Sequence, residues 1–158
     1  AVVLSGGEAT IHNLISLCIE IKKMGFKIKL DTNATNLLQI KKLINLNLLD
    51  YIAIEFKAPS YKFKKIVGVD MYDNTIKTIQ YLIKIDFNFE LRTTINKSLL
   101  DENDINEMIK TISKLGYKKT YYLQNFLETS SNIGNISKSS DIDKNKIDCQ
   151  NLTIQYRN

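Results

Sequence analysis

Segments with an apolar period of two alternate with segments whose apolar residues recur at threes and fours along most of the 158 residues. That alternation leaves few folds open, because strands joined by helical crossovers must lie parallel to one another. Ala1–Leu4 reads as a short buried strand, stopped by the pair Gly6-Gly7. Thr10 is a candidate N-cap for a helix with Ile11, Leu14, Ile15, Cys18, Ile21 and Met24 inward, ended by Gly25. Phe26–Leu30 then reads as a strand that delivers Asp31-Thr32-Asn33. Asn36 caps a helix carrying Leu37, Ile40, Leu43 and Ile44, and Asp50–Ile54 is the third strand, leading into Glu55-Phe56-Lys57-Ala58 before Pro59.

The pattern breaks over Ser60–Asp73, which reads as a long loop with one helical turn in which Tyr61 and Phe63 interleave with Lys62, Lys64 and Lys65. Asn74 would cap the next helix, with Ile76, Ile79, Leu82 and Ile83 as its stripe. Phe87–Ile95 is a strand with Glu90, Arg92 and Thr94 on its polar side. Asp101 opens a helix marked by acidic residues in its first turn and by Ile105, Met108, Ile109, Ile112 and Leu115 inward. Lys119–Leu123 is the fifth strand, followed by Gln124-Asn125-Phe126. Glu128–Gln150 is rich in Ser, Asn, Asp and Lys and does not read as packed structure, whereas Leu152–Tyr156 alternates again as a closing strand. The division expected is an α/β domain over residues 1–126 and a polar tail over 127–158, with the closing strand at 152–156.

Composition narrows the function classes. With 44% hydrophobic and 25% charged residues, the chain falls among ordinary globular domains, and no stretch has the eighteen or so apolar residues that span a bilayer. The expectation is a cytoplasmic protein without a membrane partner. A net charge of +5, from 22 basic and 17 acidic residues, does not by itself argue for nucleic acid. Cys18 and Cys149 are too far apart in sequence to read as a metal-ligand pair.

Parallel strands present their carboxyl ends on one rim, where ligands bind in such sheets. Those ends carry Gly6, Gly7 and Glu8; Asp31 and Thr32; Glu55 and Lys57; Arg92 and Thr94; and Gln124 and Asn125. Acceptors beside Lys57 and Arg92 suit a zwitterion, its ammonium among the carboxylates and its carboxylate toward the two cations. Asp31, Thr32 and Glu55 together offer oxygen ligands for a small cation. Each has a plainer reading: Asp31 or Thr32 as a helix cap, Glu55 with Lys57 as a surface pair, Arg92 as the partner of Glu90. His12, the only histidine, is not read as a general base.

Ser5-Gly6-Gly7-Glu8, Asp31-Thr32-Asn33, the run from Asp50 to Pro59, Phe89–Thr94 and Tyr122–Phe126, in that order, resemble the radical S-adenosylmethionine superfamily. Within it, the likeness is to the activating proteins of anaerobic ribonucleoside-triphosphate reductase. The resemblance implies a partial (β/α) barrel whose full-length form holds a 4Fe–4S cluster on three cysteines. It implies S-adenosylmethionine as cofactor and a 5′-deoxyadenosyl radical that makes a glycyl radical on the reductase, with an electron donor such as flavodoxin. By position, Gly6, Gly7 and Glu8 would hold the methionine ammonium. Asp31, Thr32, Glu55 and Lys57 would line the carboxylate and ribose region, with room for a monovalent cation at Asp31, Thr32 and Glu55; Arg92 would be a further carboxylate or substrate contact, and Gln124 and Asn125 would approach the adenosine. The sequence departs from the family pattern at Ala9 (usually proline), Ala34 (usually glycine) and Glu55 (usually aspartate). No Cys-x-x-x-Cys-x-x-Cys occurs. The expectation is that the first strand and cluster loop of the family lie upstream of Ala1, that the 158 residues hold no catalytic residue of their own, and that they are inactive alone. Other readings are a radical enzyme acting on a small molecule or RNA, and a non-enzymatic binding domain using Lys62–Lys65.

Overall fold

A computed structural model describes residues 1–129 and 135–157. Six strands form one parallel sheet in the order β1-β2-β3-β4-β5-β6: Val2–Leu4, Ile28–Thr32, Tyr51–Glu55, Phe89–Ile95, Tyr121–Asn125 and Ile154–Arg157. Five helices lie between them in sequence: α1 Ile15–Lys23, α2 Leu37–Asn45, α3 Ser60–Val67, α4 Tyr72–Lys84 and α5 Glu102–Lys114. The chain divides into two compact units, Ala1–Phe56 with Asp70–Leu91, and Lys57–Val69 with Arg92–Asn158.

In the first unit, Val3 pairs with Lys29 and Lys29 with Tyr51, so one register runs across β1, β2 and β3. The alternation of β2 sends Ile28, Leu30 and Thr32 into the core and Lys29 and Asp31 to the opposite face. Ile28, Leu30, Ile52 and Ile54 are fully buried, each worth roughly 1.5–3 kcal/mol relative to exposure. Asp50 ties α1 to the start of β2: its Oδ2 accepts from Lys22 Nζ at 2.5 Å and from the Ile28 amide at 2.6 Å. Burial pushes its pKa up, but those two donors outweigh it and hold the carboxyl below its ordinary value.

Three sequence expectations in this unit shift. Helix α1 starts at Ile15, not after Thr10; Ala9–Ile11 form a separate 3-10 turn in which Thr10 is buried and Ile11 is 72% exposed. The chain must first close the loop around Glu8. Helix α4 starts at Tyr72, and Asn74 Nδ2 donates to the Thr35 carbonyl at 3.3 Å instead of capping. Its inward face is Thr75, Thr78, Ile79 and Leu82. The two threonines bury because their hydroxyls donate to the carbonyls of Asn33 and Asn74, at 3.0 and 3.1 Å.

In the second unit, Ser60–Val67 is a helix where the sequence read as a loop. Pro59 precedes it, Phe63 is its one buried residue, and Gly68 closes it in the left-handed region at φ +85°. Helix α5 has the expected start: Asp101 Oδ1 accepts from the amides of Asn103 and Asp104, and Asp104 Oδ2 accepts from the Asp101 amide, a capping box. Strand β6 runs parallel to β5, Gln124 opposite Arg157.

The described part of the polar segment, from residue 135, is packed, contrary to its composition. Ile142 and Ile147 are buried. Asn96 Nδ2 donates to the Ser137 carbonyl, the Lys97 amide to Ser139 Oγ, the Asp143 amide to Glu102 Oε1, and the Asp148 amide to Asn106 Oδ1, all at 2.7–2.8 Å. Side chains just past β4 and on α5 thus satisfy main-chain groups of this segment, a strap over residues 135–150, and its Ser139 hydroxyl satisfies the Lys97 amide. The Asp143 amide and Lys97 bring the Glu102 pKa down to about 2. Residues 130–134 and 158 of the expected tail lie outside the described residues.

Candidate functional site

The corner after β1 is an exposed glycine pair, with Gly6 at φ +95° and Gly7 at φ +42°. A Cβ built on either meets nothing within 4 Å, so the corner is open. Its neighbour Glu8 is partly buried and fully engaged. Oε1 accepts from the Thr10 amide at 3.1 Å, from Thr10 Oγ1 at 2.6 Å and from Thr32 Oγ1 at 2.6 Å; Oε2 accepts from the Asn33 amide at 2.6 Å. One carboxylate therefore pins the loop after β1 to the end of β2. All four donors are neutral, and no cation pairs with Glu8 among the described residues. Its charge is held but not cancelled.

The same contacts use up Thr32. Its hydroxyl donates to Glu8 and accepts from the Ala34 amide at 3.0 Å, on the core side of β2. Ala34 is fully buried at φ +63°, the left-handed region in which glycine carries no strain.

Asp31 faces the other way. Lys29 Nζ lies 3.5 Å from Asp31 Oδ1 and 3.8 Å from Glu90 Oε1, and stands 5.8 Å from the centroid of the Tyr51 ring. Tyr51 donates its hydroxyl to Glu90 Oε2 at 3.3 Å. Glu90 is buried in this cluster, on the side of β4 that the sequence marked as polar. Glu55 is the last residue of β3 and completes the first unit's share of the expected site.

The other expected residues belong to the second unit. Lys57 follows β3, Arg92 lies within β4, and Gln124 and Asn125 end β5. Gln124 Oε1 is a buried acceptor that meets no hydrogen-bond donor among the described residues. In the second unit, Asp104 carries a contrasting network: Lys62 Nζ at 2.5 Å, the Tyr61 hydroxyl at 2.8 Å and the Asp101 amide at 2.8 Å. Burial raises its pKa, and the Lys62 ammonium, the amide and the phenol lower it further than burial raises it. Burial, then the hydrogen bond to Asp104, pushes the Tyr61 phenol up to about 12.

Sequence reading missed Lys29, Tyr51 and Glu90. The available signal was Lys29 two residues before Asp31 on one strand, which puts both on one face; their meeting with Glu90 depends on register. Among the described residues, no group of three His, Cys, Asp or Glu could hold a metal ion. Cys18 is buried in α1, where burial raises its thiol pKa, and Cys149 is exposed. No helix among the described residues is long and apolar enough to cross a membrane.

Comparison with known proteins accords with these features. Over 119 residues the chain is 35% identical to a Methanocaldococcus jannaschii protein named as a glycyl-radical enzyme activating enzyme, covering 71% of this chain and 50% of that one. Over 128 residues it is 27% identical to a Saccharolobus islandicus protein named as GTP 3′,8-cyclase, covering 78% and 41%. The chain thus spans half or less of the length of these relatives. In structure it superposes on a domain of pyruvate-formate lyase-activating enzyme from Bacteroides vulgatus, with TM-score 0.73 at 14% identity, covering 99% of this chain and 98% of that one. The family model described as the radical SAM superfamily matches residues 1–115, and with the glycine corner at the end of β1 already in view, the chain belongs to that superfamily.

Proposed function

We propose that this chain is the S-adenosylmethionine-binding part of a glycyl-radical enzyme activase, and that its target is an anaerobic ribonucleoside-triphosphate reductase. Members of the superfamily use S-adenosylmethionine with a 4Fe–4S cluster. The cofactor supplies, when bound and reduced, a 5′-deoxyadenosyl radical. The residues present fit the nucleoside amino acid. An open glycine corner leaves room for a ligand against main-chain carbonyls, and the Glu8 charge beneath it, cancelled by no cation, favours an ammonium there. This is the observation that carries the reading.

In this reading Gly6 and Gly7 meet the ammonium through the main chain, while Glu8 acts by its charge and by fixing the corner. Asp31, Thr32 and Glu55 are the first unit's remaining contributors. Lys57 and Arg92 are assigned to the carboxylate, and Gln124 and Asn125 to the adenosine side, the orphaned Gln124 Oε1 being an acceptor for an exocyclic amine. The residues do not fit the cluster. Two cysteines in 158 residues, one buried in α1, cannot replace three grouped thiolates. We therefore expect the chain by itself to leave S-adenosylmethionine uncleaved.

The test is anaerobic reconstitution of the chain with iron, sulfide and dithionite, assayed for 5′-deoxyadenosine. None is expected, and turnover would contradict the claim. For the target, a protein supplying the three cysteines ahead of this chain is incubated with the reductase and S-adenosylmethionine. An organic radical whose EPR splitting collapses with deuterated glycine supports the activase reading. Cleavage with no radical on the reductase supports the runner-up, a small-molecule or RNA substrate, for which the similarity to the protein named as GTP 3′,8-cyclase is the motive.

A further inference from the structure

Glu8 follows an open glycine corner, and a glutamate side chain is long and flexible enough to swing into the space a ligand would need. We propose that Thr10 is a positioning residue: its buried hydroxyl holds the Glu8 carboxylate against the end of β2, so that the corner offers a fixed negative charge to an ammonium group and stays unfilled. The inference rests on the cofactor reading of the preceding subsection.

Thr10 is 1% exposed and meets Glu8 twice, through its amide at 3.1 Å and its hydroxyl at 2.6 Å, both on Oε1. Glu8 is thereby folded back as the cap of the 3-10 turn Ala9–Ile11. With the Thr32 hydroxyl, Oε1 has three donors, whereas Oε2 has only the Asn33 amide. The two hydroxyls are not equivalent. That of Thr32 also accepts from the Ala34 amide, while that of Thr10 serves Glu8 alone among the described residues. Thr10 is itself held from α2: Asn36, the cap of that helix, donates Nδ2 to the Thr10 carbonyl at 2.7 Å, and Gln39 Nε2 donates to the His12 carbonyl at 3.3 Å. A β-branched side chain on a turn fixed at both ends has little freedom at χ1, so its hydroxyl stands ready before any ligand arrives. The space beside Gly6 is left open: no atom lies within 4 Å of where a Cβ would stand.

The experiment titrates S-adenosylmethionine, and its analogue lacking the α-amino group, into the natural chain, Thr10→Val and Thr10→Ser by calorimetry. The Asn33 amide proton is followed by NMR in the free proteins. Valine keeps the branching and drops the hydroxyl; serine keeps the hydroxyl. Thr10→Val should bind S-adenosylmethionine about fivefold more weakly, the worth of one hydrogen bond, and the analogue as the natural chain does. Its Asn33 amide proton should move upfield as the bond to Glu8 Oε2 loosens, and Thr10→Ser should restore both readings. A Thr10→Val variant equal to the natural chain, or weaker by the same factor for both compounds, overturns the proposal, because a merely structural threonine does not tell an ammonium from its absence. Should Thr10→Val fail to fold, Asn36→Ser takes its place: it keeps a cap for α2 and withdraws the donor from the Thr10 carbonyl. The same selective loss is expected of it, and an unselective loss or none overturns the proposal equally. If the natural chain binds no S-adenosylmethionine, the cofactor reading fails instead. The Asn33 proton then decides the role of Thr10 by itself: unmoved in Thr10→Val it refutes the role, and moved there but restored in Thr10→Ser it supports it.

Discussion

Two carboxylates, Glu8 in the first unit and Asp104 in the second, each gather donors from separate elements, yet they do so with opposite electrostatic results. Glu8 takes four neutral donors, two amides and two hydroxyls. Asp104 takes an amide, a phenol and the Lys62 ammonium, which ties α3 to α5 and cancels its charge. A carboxylate held by dipoles keeps its field and can serve a ligand; one held by a cation serves the fold. The comparison explains why the acidic residue worth following is the one beside an open glycine corner.

Removing each carboxylate should separate the two cases most strongly. Glu8→Ala leaves the Thr32 hydroxyl and the amides of Thr10 and Asn33 without an acceptor, and should cost about 3 kcal/mol in urea denaturation. Asp104→Asn should cost less, about 2 kcal/mol, because Lys62, whose side chain is 32% exposed, can turn to water. Equal losses would erase the distinction drawn between them. Gly6→Ala should cost about 1 kcal/mol, since its φ of +95° is strained for any Cβ although no atom blocks one.

The smallest effect is on the strap. With its folded pKa lowered from 4.5 to about 2, Glu102 contributes stability that is complete above pH 4.5 and is lost as the pH falls through about 2. The amide proton of Asp143, hydrogen-bonded to Glu102 Oε1, reports it. Its chemical shift should titrate in that window and stay flat in Glu102→Gln.

The order of strands and helices was legible because alternation and helical period are properties of single segments. Asp101 was legible too, because a capping box is complete within four residues. What escaped was whatever depends on partners distant in sequence. Helix α3 has only Phe63, Ile66 and Val67 on its apolar face, of which Phe63 alone is buried, so its eight residues carry a stripe of barely one turn among lysines. The strap packs by lending main-chain groups to Asn96, Glu102 and Asn106, which leaves no apolar period to read. At the site, Gly6-Gly7-Glu8 announced itself, but the partners of Glu8 at Thr32 and Asn33, and the meeting of Lys29 with Glu90, follow from register between strands.

The measurement that bears most directly on the Glu8 corner compares S-adenosylmethionine with its analogue lacking the α-amino group, titrated into the 158-residue chain under one buffer. Saturable binding of S-adenosylmethionine, with the analogue weaker by roughly tenfold or more, is the predicted result. Equal affinity for the two compounds would mean that the negative corner after β1 does not hold an ammonium group, and would contradict the account.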